Sequence, residues 1–386
     1  MGFAIVQPLV APLSQTTCGM IACMPISKMC AALLAAVSLC WGAPPQAKNL
    51  ILVTADGLRW QELFQGIDPV LMNEKAAGMG GEAGSAARQR LWRETPEARR
   101  AVLMPFFWKT LAPTGVVLGN PDRHSNLKVT NAYRISYPGY AEILTGRAQD
   151  SAIRGNQPVQ NPTETVLEFL RRKLELPAGQ VALFGSWNMF PMIGASRPGS
   201  ILINAGRMRL GGRAATPRLR ELDDLQFEML MPDESMRHDY VTFGMALEYL
   251  KTAHPRVLHI AVGETDDWGH AKNYPNYLEM AAAFDGYLRQ LWEFVQGSPE
   301  YRGNTLIAVA SDHGRGSTVE DWGSHGSDVK GAERIWAAFF GPGVPAAGEA
   351  ANTPDAFQRD IAPTILDLLG IDYKEYKGVA GKPIRF

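Results

Sequence analysis

The sequence NLILVTADG occupies residues 49–57 and joins an aliphatic run to an abrupt polar end at Asp56 and Gly57. An uninterrupted apolar run of this length is typical of a strand that is buried in a parallel sheet. Functional side chains in such sheets gather at the carboxyl ends of the strands. Asp56 is therefore the first candidate site residue, and an ordinary strand-ending turn is the alternative.

Later segments repeat this aliphatic character and alternate with helical patterns, as at 279–295, where apolar residues share one face. The further predicted strands are 115–118, 180–184, 256–262, 305–309 and 335–340. This alternation predicts an α/β fold, a three-layer sandwich with a mostly parallel central sheet. We expect one domain over residues 48–386. Residues 187–240 are rich in Met, Pro and Arg and interrupt the alternation, so they predict an inserted cap over the site.

The first 47 residues differ from the rest of the chain, because Lys28 is their only charged residue and they contain all four cysteines. An apolar run at 29–41 follows Lys28 and leads into small residues. This pattern predicts a signal peptide at 1–47 and export to the periplasm or the exterior. Met24 as the true start, lipidation at Cys40 and a membrane anchor are the alternatives. No membrane span is predicted in the mature chain.

The overall composition is that of a globular protein, with 46% hydrophobic and 20% charged residues and a formal net charge of −1. This balance gives no reason to expect nucleic acid as a partner. It does not indicate an oligomeric state.

The segment RISYPGYAEILTG, at 134–146, places Ser136 at the predicted start of a short helix that ends at Gly146. A hydroxyl at that position would lie among free backbone N–H groups, where an anion is favoured. Ser136 is therefore a candidate nucleophile. A serine that only caps the helix is the alternative.

Three loops after predicted strands carry Asp and His at spacings that suit a metal. Asp266 and His270 are four residues apart, so one helical turn brings both to the same ion. Asp312 and His313 are adjacent and precede a glycine, and His325 lies in the loop before the last strand.

Histidine and carboxylate ligands without cysteine suit zinc best, with manganese or magnesium as alternatives. Two such ions about 4 Å apart can hold the attacking and leaving oxygens of an in-line displacement. A serine between them would lose its proton and become a nucleophile.

The order of these motifs resembles the alkaline phosphatase superfamily, and most of all its type I phosphodiesterase/nucleotide pyrophosphatase branch. The resemblance runs from Asp56 to residues 360–364. It implies two divalent metal ions, a covalent phospho-Ser intermediate on Ser136 and a small-molecule phosphate ester as substrate. One implied ligand set is Asp266, His270 and His325, and the other is Asp56, Asp312 and His313.

The resemblance also places Asn156 where that branch keeps an asparagine that contacts a phosphate oxygen. Many branch members have threonine at the position of Ser136, which leaves the chemistry intact. In sulfatases the modified residue lies in a Cys/Ser-x-Pro-x-Arg pattern, and here Tyr140 stands in place of the arginine. A sulfatase is therefore disfavoured.

The loop at 185–190 decides between monoesters and diesters, because superfamily phosphatases often place Lys or Arg there. This loop has no charge, and its Trp187 and Phe190 could pack against an organic group of the substrate. It therefore favours a diester or a pyrophosphate. Arg134 or Arg197 would favour a phosphomonoesterase if either reached the site, and a phospho-group transferase is a further alternative.

Overall fold

The computed structural model describes Gly2 and residues 46–386, apart from Ala214 and Pro232. The predicted signal peptide at 1–47 thus lies almost entirely outside the described residues. Residues 45–386 form one compact unit. Within the part of the chain that the structure describes, no helix is long and apolar enough to cross a membrane.

The ten strands in the described part of the chain form an eight-stranded central sheet and a separate pair. In chain order they are β1 (Asn49–Ala55), β2 (Gly115–Leu118), β3 (Leu127–Lys128), β4 (Val181–Gly185), β5 (Leu202–Ala205), β6 (Val257–Val262), β7 (Thr305–Ser311), β8 (Ala337–Phe340), β9 (Gly348–Glu349) and β10 (Ala356–Phe357). The central order is β5-β4-β6-β1-β7-β8-β2-β9, and β10 pairs with β3. Only β8 runs antiparallel to its neighbours in the described sheet. The prediction of a mostly parallel sheet is therefore confirmed.

Eleven α-helices are described. They are α1 (Trp60–Gln65), α2 (Gly81–Leu91), α3 (Pro96–Leu103), α4 (Ser136–Thr145), α5 (Val166–Lys173), α6 (Phe190–Ile193), α7 (Pro217–Glu228), α8 (Asp239–Ala253), α9 (Glu264–His270), α10 (Tyr274–Gly297) and α11 (Ile361–Leu368).

The side chains of β1 divide the core into two layers, because successive residues of a strand point to opposite faces. Ile51 and Val53 join a hydrophobic cluster that includes residues of α8 and α10. Leu50 and Leu52 join a second cluster that includes residues of α4, α5 and α11. Helices therefore cover both faces of the sheet, as in a three-layer sandwich, and this explains why β1 has no polar face.

Part of the segment 187–240 belongs to the sheet. β5 pairs in parallel with β4, with Ala182 opposite Leu202, and it forms one edge of the sheet. In the following helix, α7, Leu219 and Leu222 are buried in the same cluster as α8. The sequence predicts that this segment interrupts the alternation, because a four-residue edge strand is too short to show a pattern in sequence. The cap over the site stays a prediction for the rest of the segment.

Candidate active site

The sheet order brings three sequence-distant loops to one edge. β1 lies between β6 and β7 and is parallel to both, so the carboxyl ends of the three strands are neighbours. Asp56 follows β1 and Asp312 follows β7, while α9, which begins two residues after β6, carries Asp266 and His270. The adjacency of these three parallel strands therefore explains why residues more than 200 positions apart in sequence meet.

The first group of side chains is Asp56, Asp312 and His313, all of them buried. Nε2 of His313 lies 3.2 Å from Oδ1 of Asp56 and 3.5 Å from Oδ2 of Asp312. Nδ1 of His313 lies 3.0 Å from the carbonyl oxygen of Gly314, and a proton on Nδ1 turns Nε2 toward the carboxylates. The arrangement leaves three potential metal-ligand atoms facing one point.

Two oxygens of this group have no hydrogen-bond donor among the described residues, namely Oδ1 of Asp56 and Oδ2 of Asp312. The other oxygen of Asp312 accepts a hydrogen bond from the backbone N–H of Gly57 at 3.0 Å. Burial and the charge of Asp56 raise the pKa of Asp312. Burial lowers the pKa of His313, but Asp312 and Asp56 outweigh this and raise it to about 9. The group thus favours a bound cation.

The second group is Asp266, His270 and His325. Oδ2 of Asp266 lies 3.2 Å from Nε2 of His270, which lies 2.9 Å from Nε2 of His325. Two imidazole nitrogens that face each other at this distance are suited to a shared cation. Burial lowers the pKa of both histidines, and the positive charge of His313 lowers them further, which keeps both neutral as metal ligands must be.

The two groups adjoin each other through His313. Its ring stacks on that of His325 with the centroids 4.0 Å apart. Its Nε2 lies 3.7 Å from Oδ1 of Asp266, and ligand atoms of Asp266, His313 and His325 lie within 4.8 Å of one another. All six expected ligands therefore lie in one continuous cluster.

Ser136 is the first residue of α4, and its hydroxyl oxygen lies 3.3 Å from Nε2 of His313. Ile135 is the N-cap and makes no side-chain cap, so the Ser136 hydroxyl does not serve as the cap of this helix. α4 can approach this closely because of Gly139, where a Cβ atom would lie 2.3 Å from the carbonyl oxygen of Asp312.

The loop that leads into Ser136 is fixed from within the protein. The carboxylate of Glu142, in α4, accepts hydrogen bonds from the backbone N–H groups of Thr130 and Asn131 at 2.8–3.0 Å. Oδ1 of Asn131 in turn accepts from the N–H of Arg134 at 2.7 Å, and Arg134 has φ +53°. Ser136 is thereby held in place independently of any ligand.

Asn156 lies beside Ser136. Its Oδ1 accepts a hydrogen bond from the backbone N–H of Tyr137 at 2.9 Å, and the residue is exposed. The amide is thus oriented with its NH₂ group free to donate to a ligand of Ser136.

The structure also places four residues that the sequence analysis named near the site. Phe190 is buried, with its ring 4.9 Å from that of Tyr140, so the expectation that it packs against a substrate is wrong.

A guanidinium nitrogen of Arg134 lies 3.3 Å from the carbonyl oxygen of Ser327 and 3.5 Å from Oε2 of Glu333. Arg197 lies 3.8 Å from carboxylate oxygens of Glu164 and Glu168. Trp187 is partly buried against the core.

Sequence reasoning missed Arg315, which is buried and in contact with Asp266. It follows His313 by two residues, but an arginine in a glycine-rich turn has no pattern that distinguishes it from a surface residue. Only the three-dimensional contacts identify it.

Neither a protein-family model nor a curated protein sequence matches this chain. Solved structures do match its fold. A protein in the alkaline phosphatase superfamily from Vibrio parahaemolyticus is 13% identical, with 88% of this chain and 70% of that chain covered and a TM-score of 0.50. The phosphonate monoester hydrolase SpPMH from Silicibacter pomeroyi is 16% identical, with 87% and 75% covered and a TM-score of 0.51. The 2-O GAG sulfatase BT1596 is 13% identical, with 88% and 73% covered and a TM-score of 0.55.

At these identities the likeness establishes the fold alone, which is a mixed α/β fold of the alkaline phosphatase type. The similar structures include a phosphonate monoester hydrolase and a sulfatase. They therefore do not single out the phosphodiesterase/nucleotide pyrophosphatase branch that the motifs resemble.

Proposed function

We propose that this protein is a metal-dependent hydrolase of phosphoric esters that uses two divalent ions and Ser136 as its nucleophile. The observation that carries the proposal is the 3.3 Å separation between the Ser136 hydroxyl and Nε2 of His313, within a cluster of three carboxylates and three imidazoles. A hydroxyl at a helix start beside such a cluster has what a phosphoryl-transfer nucleophile needs.

The donor set fits two cations. Asp56 and Asp312 each offer a buried oxygen to which no described residue donates a hydrogen bond, and His270 and His325 face each other through Nε2. Nitrogen and oxygen ligands of this kind suit zinc, with manganese or magnesium as alternatives. Bound ions would lower the pKa of the Ser136 hydroxyl and neutralise charge on the ester oxygens.

In the proposed reaction the Ser136 hydroxyl gives up its proton and its oxygen forms a bond to phosphorus, while the bond from phosphorus to the leaving-group oxygen breaks and that oxygen takes up a proton. The products are a phospho-Ser and a free alcohol or phosphate. Water then loses a proton as it attacks phosphorus, the bond from phosphorus to Ser136 breaks, and the serine oxygen takes up a proton. The amide NH₂ of Asn156 donates to a non-bridging oxygen throughout, because its carbonyl oxygen is held by the N–H of Tyr137.

The charges around the site support a singly charged phosphorus centre, as in a diester or a pyrophosphate. A monoester dianion requires additional cationic groups to offset its desolvation. The two arginines whose position bears on this, Arg134 and Arg197, each have carboxylate partners, Glu333 for Arg134 and Glu164 and Glu168 for Arg197. Arg315 is engaged by Asp266.

A sulfate ester is the second candidate, because it also carries one charge and a sulfatase is among the similar structures. Tyr140 argues against it. This residue takes the position of the arginine in the sulfatase pattern and is buried against Phe190.

The test is hydrolysis of bis-p-nitrophenyl phosphate, p-nitrophenyl phosphate and p-nitrophenyl sulfate by the zinc-loaded protein. We expect the diester rate to be at least about tenfold above the others. Ser136→Ala should lower it by about 10³-fold or more with unchanged zinc content. The exposed Ser151→Ala, on the loop after α4, is the matched control.

Other results would change the proposal in defined ways. A monoester preference would make the protein a phosphatase, and a sulfate preference would make it a sulfatase. Full activity of Ser136→Ala would exclude this serine as the nucleophile. Export through residues 1–47 also stays a proposal, and the N-terminal sequence of the protein isolated from the periplasm would test it.

A further inference from the structure

The side chain of Arg315 is buried, with 1% of its surface exposed, and is surrounded by hydrogen-bond acceptors. Its Nε donates to the carbonyl oxygen of Gly57 at 3.1 Å, and Nη1 donates to that of Gly323 at 2.6 Å. Nη2 donates to the carbonyl oxygen of Asp266 at 3.1 Å and also to Oδ1 of the same residue. The guanidinium group thus joins three segments that are distant in sequence, namely the turn after β1, helix α9 and the loop before β8.

Each of these segments carries a proposed metal ligand. Gly57 directly follows Asp56, and Gly323 precedes His325 by two residues. Asp266 is itself a proposed ligand. One side chain therefore forms hydrogen bonds with the residue after Asp56, with helix α9 and with the loop before β8.

The space for this guanidinium group depends on glycines. A Cβ atom at Gly57 would lie 2.8 Å from Nε and from Nη2 of Arg315. A Cβ atom at Gly269 would lie 2.7 Å from Cζ of Arg315, which is too close for either atom to stay in place. Gly269 lies between Asp266 and His270, so this contact gives a reason for a glycine at that position.

Arg315 is a cation in this setting, because a guanidinium group stays protonated in proteins. A charged donor therefore faces Asp266 at neutral pH, and a charge-assisted hydrogen bond of this kind is strong and directional.

We propose that Arg315 is a positioning residue for the metal of the Asp266–His270–His325 group. It holds Asp266 by Oδ1 and leaves Oδ2, which lies 3.2 Å from Nε2 of His270, to bind the ion. This inference rests on the proposed two-metal function. Arg315 does not act on the substrate.

Replacing Arg315 should lower the affinity for only one of the two metal ions. Among the residues that the structure describes, no hydrogen bond or ion pair joins Arg315 to the side chain of Asp56 or of Asp312, and its contact with the Asp56 segment is to the backbone of Gly57. Side chains that orient a metal-ligating residue through a hydrogen bond typically account for about 10- to 100-fold in metal affinity. Loss of Arg315 should therefore weaken one zinc site and leave the other.

The experiment compares Arg315→Met and Arg315→Lys with Arg237→Met as a matched control. Arg237 is equally buried and donates to Asn204 Oδ1 at 2.6 Å and to the carbonyl oxygen of Gly185 at 3.2 Å, away from the proposed ligands. Metal-free full-length protein is titrated with zinc in competition with a chromophoric chelator, and the melting temperature is recorded.

We expect wild type and Arg237→Met to bind two zinc ions alike, although Arg237→Met melts at a lower temperature. Arg315→Met should bind one zinc ion normally and the second about 10- to 100-fold more weakly. Arg315→Lys should behave like Arg315→Met, because an ammonium group cannot reproduce the fork of donors, and it covers the case in which Arg315→Met does not fold.

Two unchanged zinc affinities in a folded Arg315 variant would overturn the inference. So would an equal loss of affinity in Arg237→Met, since general destabilisation would then explain the effect. If wild type binds two zinc ions but hydrolyses no ester, the proposed function fails while the affinity comparison still decides the role of Arg315.

Discussion

Oδ1 of Asp56 lies 3.2 Å from Nε2 of His313, and the two side chains are 7% and 0% exposed. Oδ2 of Asp312 approaches the same nitrogen to 3.5 Å. One buried imidazole therefore faces two buried carboxylates, and its positive charge offsets only one of their two charges when no metal is bound. This relationship makes the metal-free protein less stable than its packing alone would allow.

Asp312→Asn should raise the melting temperature of the metal-free protein by about 2–4 °C, or about 1 kcal/mol. The substitution removes one of two like charges, and the amide oxygen can still accept the hydrogen bond from the N–H of Gly57. In wild type, zinc at about 1,000 times its dissociation constant should add about 4 kcal/mol per site. The variant should lose this gain for one site. Differential scanning calorimetry with and without zinc measures both effects.

Asp367→Asn, on the exposed surface of α11, is the control and should leave the zinc response unchanged. A metal-free Asp312→Asn protein that melts below wild type would show that the two carboxylates do not repel each other as proposed.

Asn156→Asp separates a capping role from a substrate role. The carboxylate can still accept from the N–H of Tyr137, and a negative charge is favoured at a helix start, so the melting temperature should be kept. It cannot donate to the substrate, and kcat should fall by about 10²-fold. Asn156→Ala should lose both the activity and about 1 kcal/mol of stability. An active Asn156→Asp enzyme would restrict Asn156 to capping.

His259 should make the protein less stable in acid. Burial lowers its pKa to about 3 from 6.5, so the native protein leaves it neutral while the unfolded chain binds a proton below pH 6.5. Its contribution to stability is therefore complete above pH 6.5 and is lost as the pH falls from 6.5 toward 3. The loss should be about 2 kcal/mol at pH 5 relative to pH 8.

Urea unfolding of metal-free wild type and His259→Gln at pH 5 and pH 8 measures this effect. Nε2 of His259 lies 3.0 Å from Oγ1 of Thr54, a contact that glutamine can retain. The stability difference between the two proteins should shift by about 2 kcal/mol in favour of the variant at pH 5. A difference that is the same at both pH values would contradict the prediction.

The elements that sequence predicts well are those whose cause is local. The run at 49–55 is apolar at nearly every position because β1 is covered on both faces, and Asp266 and His270 come together because a helical turn has that spacing. The alternation of strands with helices predicts a parallel sheet, and the site residues then lie at the edge where its strands end.

What sequence does not reveal depends on partners that are distant in the chain. Phe190 is buried because Tyr140, fifty residues earlier, packs against it. The edge strand β5 is defined by its pairing with β4 rather than by its own four residues. Arg315 and Gly139 matter only through contacts with other loops, so their residue types alone indicate nothing.

Gly269→Ala should disturb the site by acting on Arg315. Alanine is favoured over glycine within a helix by about 1 kcal/mol, so any loss of stability must come from the contact between its Cβ and Cζ of Arg315, which would lie 2.7 Å apart. We expect a net loss of about 1–3 kcal/mol and weaker binding of one zinc ion. Gly286→Ala, in α10, is the control, because its Cβ meets no atom within 4 Å and the substitution should stabilise the protein.

The double variant Gly269→Ala with Arg315→Met decides the cause. If the alanine acts by displacing the guanidinium group, removing that group relieves the clash. The two losses of stability should then be less than additive by about 1 kcal/mol or more. Urea unfolding of wild type, both single variants and the double variant supplies the cycle. Strict additivity would mean that Gly269 is required for a reason other than Arg315.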